Sequence, residues 1–179
     1  MKNTRIFSTI AMLVICMLVS ATTAWAQDAK PPKASPAETV TGKIGDANVT
    51  VNYSSPAVKG RNIWGGLVPY GQVWRSGANE ATTVTFDKNV MVEGKPLTAG
   101  TYSFYTLPGE DDWTVIFNKT AKQWGTQYDE KQDALRVTVK PVKSKAMSER
   151  LKYNVTGKGL VLHWENMEVP VAITASKKK

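Results

Sequence analysis

Leu151-Lys152-Tyr153-Asn154-Val155-Thr156-Gly157-Lys158-Gly159-Leu160-Val161-Leu162-His163-Trp164 alternates apolar and polar side chains on either side of a glycine-flanked break. In an extended chain successive side chains point to opposite faces, so each half has one apolar and one wet face. The Gly157-Lys158-Gly159 break supplies the backbone freedom that a tight reversal needs. Two antiparallel strands follow from this one stretch.

The same period of two recurs outward from it. Val49-Val51-Tyr53, Thr82-Val84-Phe86, Trp113-Val115-Phe117, Leu135-Val137-Val139 and Val169-Val171-Ile173 each alternate with polar or small residues. Tyr102 to Leu107 carries aromatics on both faces, which suits a strand covered on both. Turn residues stand between the runs, at Gly45-Asp46, Asp87 to Asn89, Glu93-Gly94-Lys95, Pro108 to Asp111 and Asn166. Asp111 and Asp112 read as turn residues rather than as a calcium pair. No later segment has a helical apolar stripe. The expectation is an all-β, antiparallel β-sandwich of about ten short strands, jelly-roll or Ig-like, with a closed barrel as the alternative.

The ends of the chain have a different composition. Lys2 and Arg5 precede the apolar run Ile10 to Val19, and Ala24-Trp25-Ala26 offers a small-x-small cleavage site, so residues 1–26 read as a secretory signal peptide. Ile15 before Cys16 is too bulky for a lipoprotein site, and cleavage after Ala26 removes the only cysteine. Residues 27–37 hold Pro31, Pro32 and Pro36 among polar and small residues and read as a flexible linker. Residues 38–175 suffice for a single β-sandwich domain, and residues 176–179 form a basic tail. The expected location is periplasmic or secreted, with no stable membrane insertion. The formal charge is +8, or +6 without Lys2 and Arg5. Scattered lysines make that charge a solvated surface, and export argues against nucleic acid as a partner.

Chemistry-bearing motifs are few. Walker, dinucleotide, nucleophile-elbow, zincin and EF-hand patterns are absent, and a lone histidine rules out a multi-histidine metal site in one chain. Neither a cofactor nor a metal is expected, and no catalytic residue is assigned. Val73-Trp74-Arg75-Ser76-Gly77-Ala78-Asn79-Glu80 places an indole, a forked cation, an amide and a carboxylate in a few residues. Arg75 suits a carboxylate, Asn79 and Glu80 suit hydroxyls, and Trp74 suits stacking on a sugar ring. The structural alternative is an Arg75–Glu80 pair that pins a long loop. Trp124 joins this ligand-binding set. So do His163 and Glu165, expected on one strand face as a base and its carboxylate. Trp64, Tyr70, Trp74, Trp124 and Tyr128 read either as a glycan platform or as a second core under the loops.

The segments Gly60 to Gly71, Val73 to Thr82, Leu97 to Ser103 and Gln123-Trp124-Gly125, with Leu162-His163-Trp164-Glu165-Asn166, together resemble domain-of-unknown-function family 2911. The likeness runs from about Asn48 to Ile173. It implies a small exported bacterial protein with a β-rich domain, and it carries no catalytic residue with it. The expected function is a binding module for a small polar or glycan-like ligand of the bacterial envelope. An envelope interaction protein with a basic surface is the first alternative, and a hydrolase built on paired carboxylates is the second.

Overall fold

The computed structural model describes residues 33–176, so the signal peptide expected over residues 1–26, most of the expected linker and the last lysines lie outside the described residues. Ten strands follow in chain order: β1 (Ala37–Ile44), β2 (Ala47–Ser54), β3 (Thr83–Phe86), β4 (Val90–Val92), β5 (Lys95–Leu97), β6 (Gly100–Leu107), β7 (Trp113–Asn118), β8 (Asp133–Val139), β9 (Val142–Thr156) and β10 (Gly159–Ala175). They form a six-stranded sheet in the order β1-β2-β3-β6-β7-β8 and a four-stranded sheet in the order β5-β4-β10-β9. Every strand pairing is antiparallel. The two sheets pack as a sandwich and do not close into a barrel.

Alternation explains the core. Val49 and Val51 of β2, Val84 and Phe86 of β3, and Trp113, Val115 and Phe117 of β7 point inward and are fully or almost fully buried. Leu151, Tyr153, Leu160, Leu162 and Trp164 of the other sheet meet them in one continuous cluster. Each such aliphatic or aromatic side chain contributes about 1.5 to 3 kcal/mol by leaving water. Tyr102 to Thr106 of β6 are all buried, because the outward Tyr105 is capped, together with Ile116, by Ala81 and Tyr128 from the loops.

The alternation also conceals two things. Val142 to Arg150 is strand although its side chains are largely exposed, so β9 reaches well beyond the Leu151 to Thr156 run. β1 buries only Ile44; its Glu38, Thr39 and Lys43 suit a charged sheet edge, and strand pairing already begins at Ala37 opposite Ser54. Pro36 accepts a 2.8 Å hydrogen bond from the Ser55 amide.

Leu160 to Trp164 and Val169 to Ile173 are one 17-residue strand, with no turn at Asn166. The first half buries even-numbered positions and the second half odd-numbered ones, which a regular strand cannot do. Glu165 reconciles them: it sits at φ +53°, and the register with β9 shifts on both sides of it. This bulge changes the parity and bends the strand. Fully extended, 17 residues would span about 55 Å. Instead β10 doubles back far enough for the Ile173 amide to donate to the Lys158 carbonyl at 3.1 Å.

Four phenols are held in the neutral form. Burial raises the pKa of Tyr53, Tyr105, Tyr128 and Tyr153, and Tyr128 also donates to the Asp133 carboxylate at 2.7 Å, which raises it further. The unfolded chain releases these protons near pH 10 and the native chain above it. Their stabilising contribution is therefore intact below about pH 10 and is lost as pH rises past it. Urea resistance is expected to fall from about pH 10 upward, with phenolate absorbance rising in step with loss of the strand signal in far-ultraviolet circular dichroism. Ionisation of all four in a chain that keeps its strand signal would contradict the packing described.

Candidate functional site

The long loop from Ser55 to Thr82 is fastened at many points. Val58 donates to Glu149 and Leu151 donates to Pro56, so the loop's first residues extend the edge of β9. Trp74 exchanges both backbone hydrogen bonds with Thr106 at 2.7 and 2.9 Å, and Ala78 donates to Ser54 at 3.2 Å. Beside these anchors Ser76 and Asn79 adopt φ of +51° and +59°. Such left-handed backbone costs on the order of 1 kcal/mol or more per residue, and it persists only where surrounding bonds impose it. Here they do. The buried Ser76 carbonyl accepts from Tyr153 Oη at 2.7 Å and from Thr82 Oγ1 at 3.1 Å, while Ser76 Oγ lies 3.0 Å from Thr106 Oγ1. Gly77 leaves no room for a Cβ, which would stand 2.7 Å from Thr82 Oγ1.

This turn forms one wall of a pocket of about 340 Å³, whose lining includes Arg61, Leu67, Trp74, Arg75, Asn79 and Trp164. No acidic side chain among the described residues lines it. Arg75 Nε is sealed from solvent without a hydrogen-bond partner, and the guanidinium forms no ion pair among the described residues. Arg61 differs, since its Nε donates to the Val58 carbonyl at 3.0 Å and its Nη2 to the Ala57 carbonyl, which aims the remaining N–H groups outward. Asn79 Nδ2 donates to the Ser35 carbonyl at 3.3 Å, leaving the amide oxygen as an acceptor.

Under the pocket lies a cluster of four indoles. Trp74 and Trp164 stack with centroids 5.7 Å apart and planes 18° apart. Trp64 meets Trp74, Trp113 and Trp164 edge to face at 5.1 to 5.9 Å. The indole N–H groups of Trp64, Trp113 and Trp164 are buried without a hydrogen-bond partner; edge-to-face packing turns ring edges toward π faces, which compensates such donors in part.

The structure brings together some of the residues singled out from sequence and separates others. Trp74, Arg75 and Asn79 share the pocket. Glu80 follows directly but faces a separate depression of about 190 Å³ with Glu38 and Tyr53. Trp124 is tied to Glu80 by a backbone bridge, and the neighbouring Gly125 amide donates to the Asn79 carbonyl at 3.1 Å; the Trp124 ring itself is 51% exposed. The loop aromatics therefore divide: Trp64, Trp74 and Tyr128 pack inward, whereas Tyr70 and Trp124 stay at the surface.

His163 and Glu165 stand apart from this pocket. His163 Nε2 lies 3.0 Å from Ser144 Oγ and 3.1 Å from the Ala146 carbonyl, and its Nδ1 is 3.8 Å from Glu168 Oε1. The bulge at Glu165 breaks the period of two that would have set it beside His163, and Glu168 takes that place. Among the described residues no group of three or more His, Cys, Asp or Glu side chains is arranged to hold a metal.

Arg61, Leu67 and Trp164 join the pocket without a sequence signal for it. Trp164 reads as core from its alternation, and it is core, but its outer edge also floors the pocket. Arg61 is brought in by a turn at Lys59 and Gly60, both at positive φ.

A family model described as "Protein of unknown function (DUF2911)" matches residues 35–173, the whole of the sandwich up to the last two residues of β10. No curated protein and no solved structure matches the chain.

Proposed function

We propose, for a chain that belongs to the DUF2911 family of proteins of unknown function, that it is a binding module holding a small polar ligand with negative charge in the Arg75 pocket. The observation that carries this reading is Arg75 itself. An arginine whose Nε is buried without a hydrogen-bond partner costs its fold about 1 to 3 kcal/mol. Its positive charge would draw an anion to the pocket that Arg75 lines. Arg61 adds a second cation, Asn79 an acceptor for a hydroxyl, and Trp74 an apolar face for a ring. The module would work in the periplasm or outside the cell, after removal of the leader expected in residues 1–26, where anionic envelope sugars are at hand.

The test is Arg75→Gln against a panel of hexuronates, sugar phosphates and neutral hexoses. Anionic members are expected to raise the melting temperature of the unchanged protein, and neutral hexoses to leave it where it is. Arg75→Gln should weaken the anionic binders at least about tenfold, the scale of one lost charge-assisted contact. Its own stability should stay within about 0.5 kcal/mol or rise, since no internal bond is lost. A variant that binds as before, or one that unfolds because Arg75 was holding the loop, would sink the reading.

A further inference from the structure

Between the pairs Glu165–Ser148 and Met167–Lys143, β10 contains one residue and β9 four. The three surplus residues leave the line of the strand, so Ser144 to Met147 stands out as a protrusion within β9. It is braced from behind. Ser144 Oγ donates to the Ala146 carbonyl at 2.6 Å and accepts from the Ala146 amide at 3.2 Å, while His163 Nε2 lies 3.0 Å from Ser144 Oγ and 3.1 Å from the Ala146 carbonyl oxygen. Ser144 turns to His163 and Ser148 is buried, so the alternation of the strand sends the odd-numbered Lys143, Lys145 and Met147 to the outer side. All three are exposed. At 58%, Met147 is the most open large hydrophobic side chain among the described residues, and Val142 at the start of the strand is exposed as well.

Charge on this end of β9 has one sign. Lys140, Lys143 and Lys145 fall in a stretch without an acid, Ala134 to Ser148, and neither Lys143 nor Lys145 has an ion pair among the described residues. Glu149 accepts from the Lys59 amide at 2.9 Å, and Glu168 turns to His163 Nδ1, 3.8 Å away. An apolar tip between lysines suits few surfaces. Lysine is depleted in protein–protein interfaces, and pairing this strand with its own copy would set lysine against lysine. At an anionic bilayer the same residues act together: an apolar side chain enters the headgroup boundary, and lysines lay their methylene stems beside it with the ammonium groups on lipid phosphates. We infer that the β9 protrusion docks on an anionic lipid bilayer, with Met147 at the headgroup boundary and Lys143 and Lys145 on the phosphates. Such contact needs no spanning segment, and it is independent of the Arg75 pocket.

Co-sedimentation of the full chain, processed as the cell processes it, with vesicles of phosphatidylglycerol and phosphatidylethanolamine and with vesicles of phosphatidylcholine alone tests it. Binding is expected to the first and to fall steeply as salt is raised, because the lysines act through solvent. Lys143→Ser and Lys145→Ser should each weaken it about fivefold, and Met147→Ser about tenfold. All three side chains are exposed, so the variants should keep the melting temperature of the unchanged protein. Arg75→Gln should bind vesicles as before. Equal binding to both kinds of vesicle, or variants that bind as well as the unchanged chain, would overturn the inference. So would a dimer that Met147→Ser dissolves in a protein that binds no vesicle, which would assign the surface to a second copy.

Discussion

A methyl group added at Gly159 is expected to destabilise the protein by about 3 kcal/mol or more, a large share of the roughly 5 to 15 kcal/mol that holds a domain of this size. A Cβ there would stand 2.0 Å from the Val171 carbonyl oxygen and 2.8 Å from the Ile173 amide nitrogen, with φ at +142°. These are backbone atoms, so no rotamer change relieves the overlap. Retreat would break the Ile173–Lys158 hydrogen bond and pull Ile173 out of register with Val92 of β4. Gly157→Ala is the matched control, since a Cβ there meets nothing within 4 Å. Urea unfolding midpoints for the two variants decide the matter. Equal midpoints would mean that β10 does not fold back on its own beginning.

The second large effect is expected at Gly125, where the loop of Lys119 to Gln132 meets the pocket wall. A Cβ would lie 2.0 Å from Arg75 Cδ, 3.0 Å from Arg75 Cβ and 2.7 Å from the Asn79 carbonyl oxygen. The arginine stem can yield, but the Asn79 carbonyl is the acceptor for the Gly125 amide itself. Gly125→Ala should therefore displace Arg75 and part the two loops together. Expected results are a loss of about 1 to 2 kcal/mol in stability, a tenfold or greater loss of anion binding, and faster hydrogen exchange at the Gly125 and Ala81 amides, which donate to Asn79 and Gln123. The combination separates this variant from Arg75→Gln, which loses binding alone. Unchanged exchange at both amides would show that the loops do not depend on this contact.

The architecture was legible wherever one face of a strand is buried and the other is wet, as in β2, β7 and the Leu151 to Trp164 hairpin. β1 was not, because an edge strand carrying Glu38 and Lys43 is held by backbone pairing with β2 and buries almost nothing. The first half of β9 was hidden for the same reason. Val90–Val92 and Lys95–Leu97 are too short to show a period, although the turn between them, Glu93 and Gly94 at φ of +46° and +75°, was marked by its residues. Asn166 looked like a reversal because the alternation changes parity there, and parity is what the Glu165 bulge alters.

At the site, Trp74, Arg75 and Asn79 were legible because unlike chemical groups crowd into one short loop. The partners were not. Arg61 enters through turn geometry, and Trp164 arrives from the opposite sheet, some ninety positions away along the chain. That Arg75 and Glu80 line different depressions also lay beyond sequence.

The four packed indoles have an optical consequence. Rings this close couple their electronic transitions, so excitation is shared across Trp64, Trp74, Trp113 and Trp164 instead of residing on one of them. Trp74 and Trp164 belong both to that chromophore and to the pocket. Tryptophan absorbance and emission from deep in the sandwich should therefore change when a ligand touches the rim, a change that can be read without an attached dye.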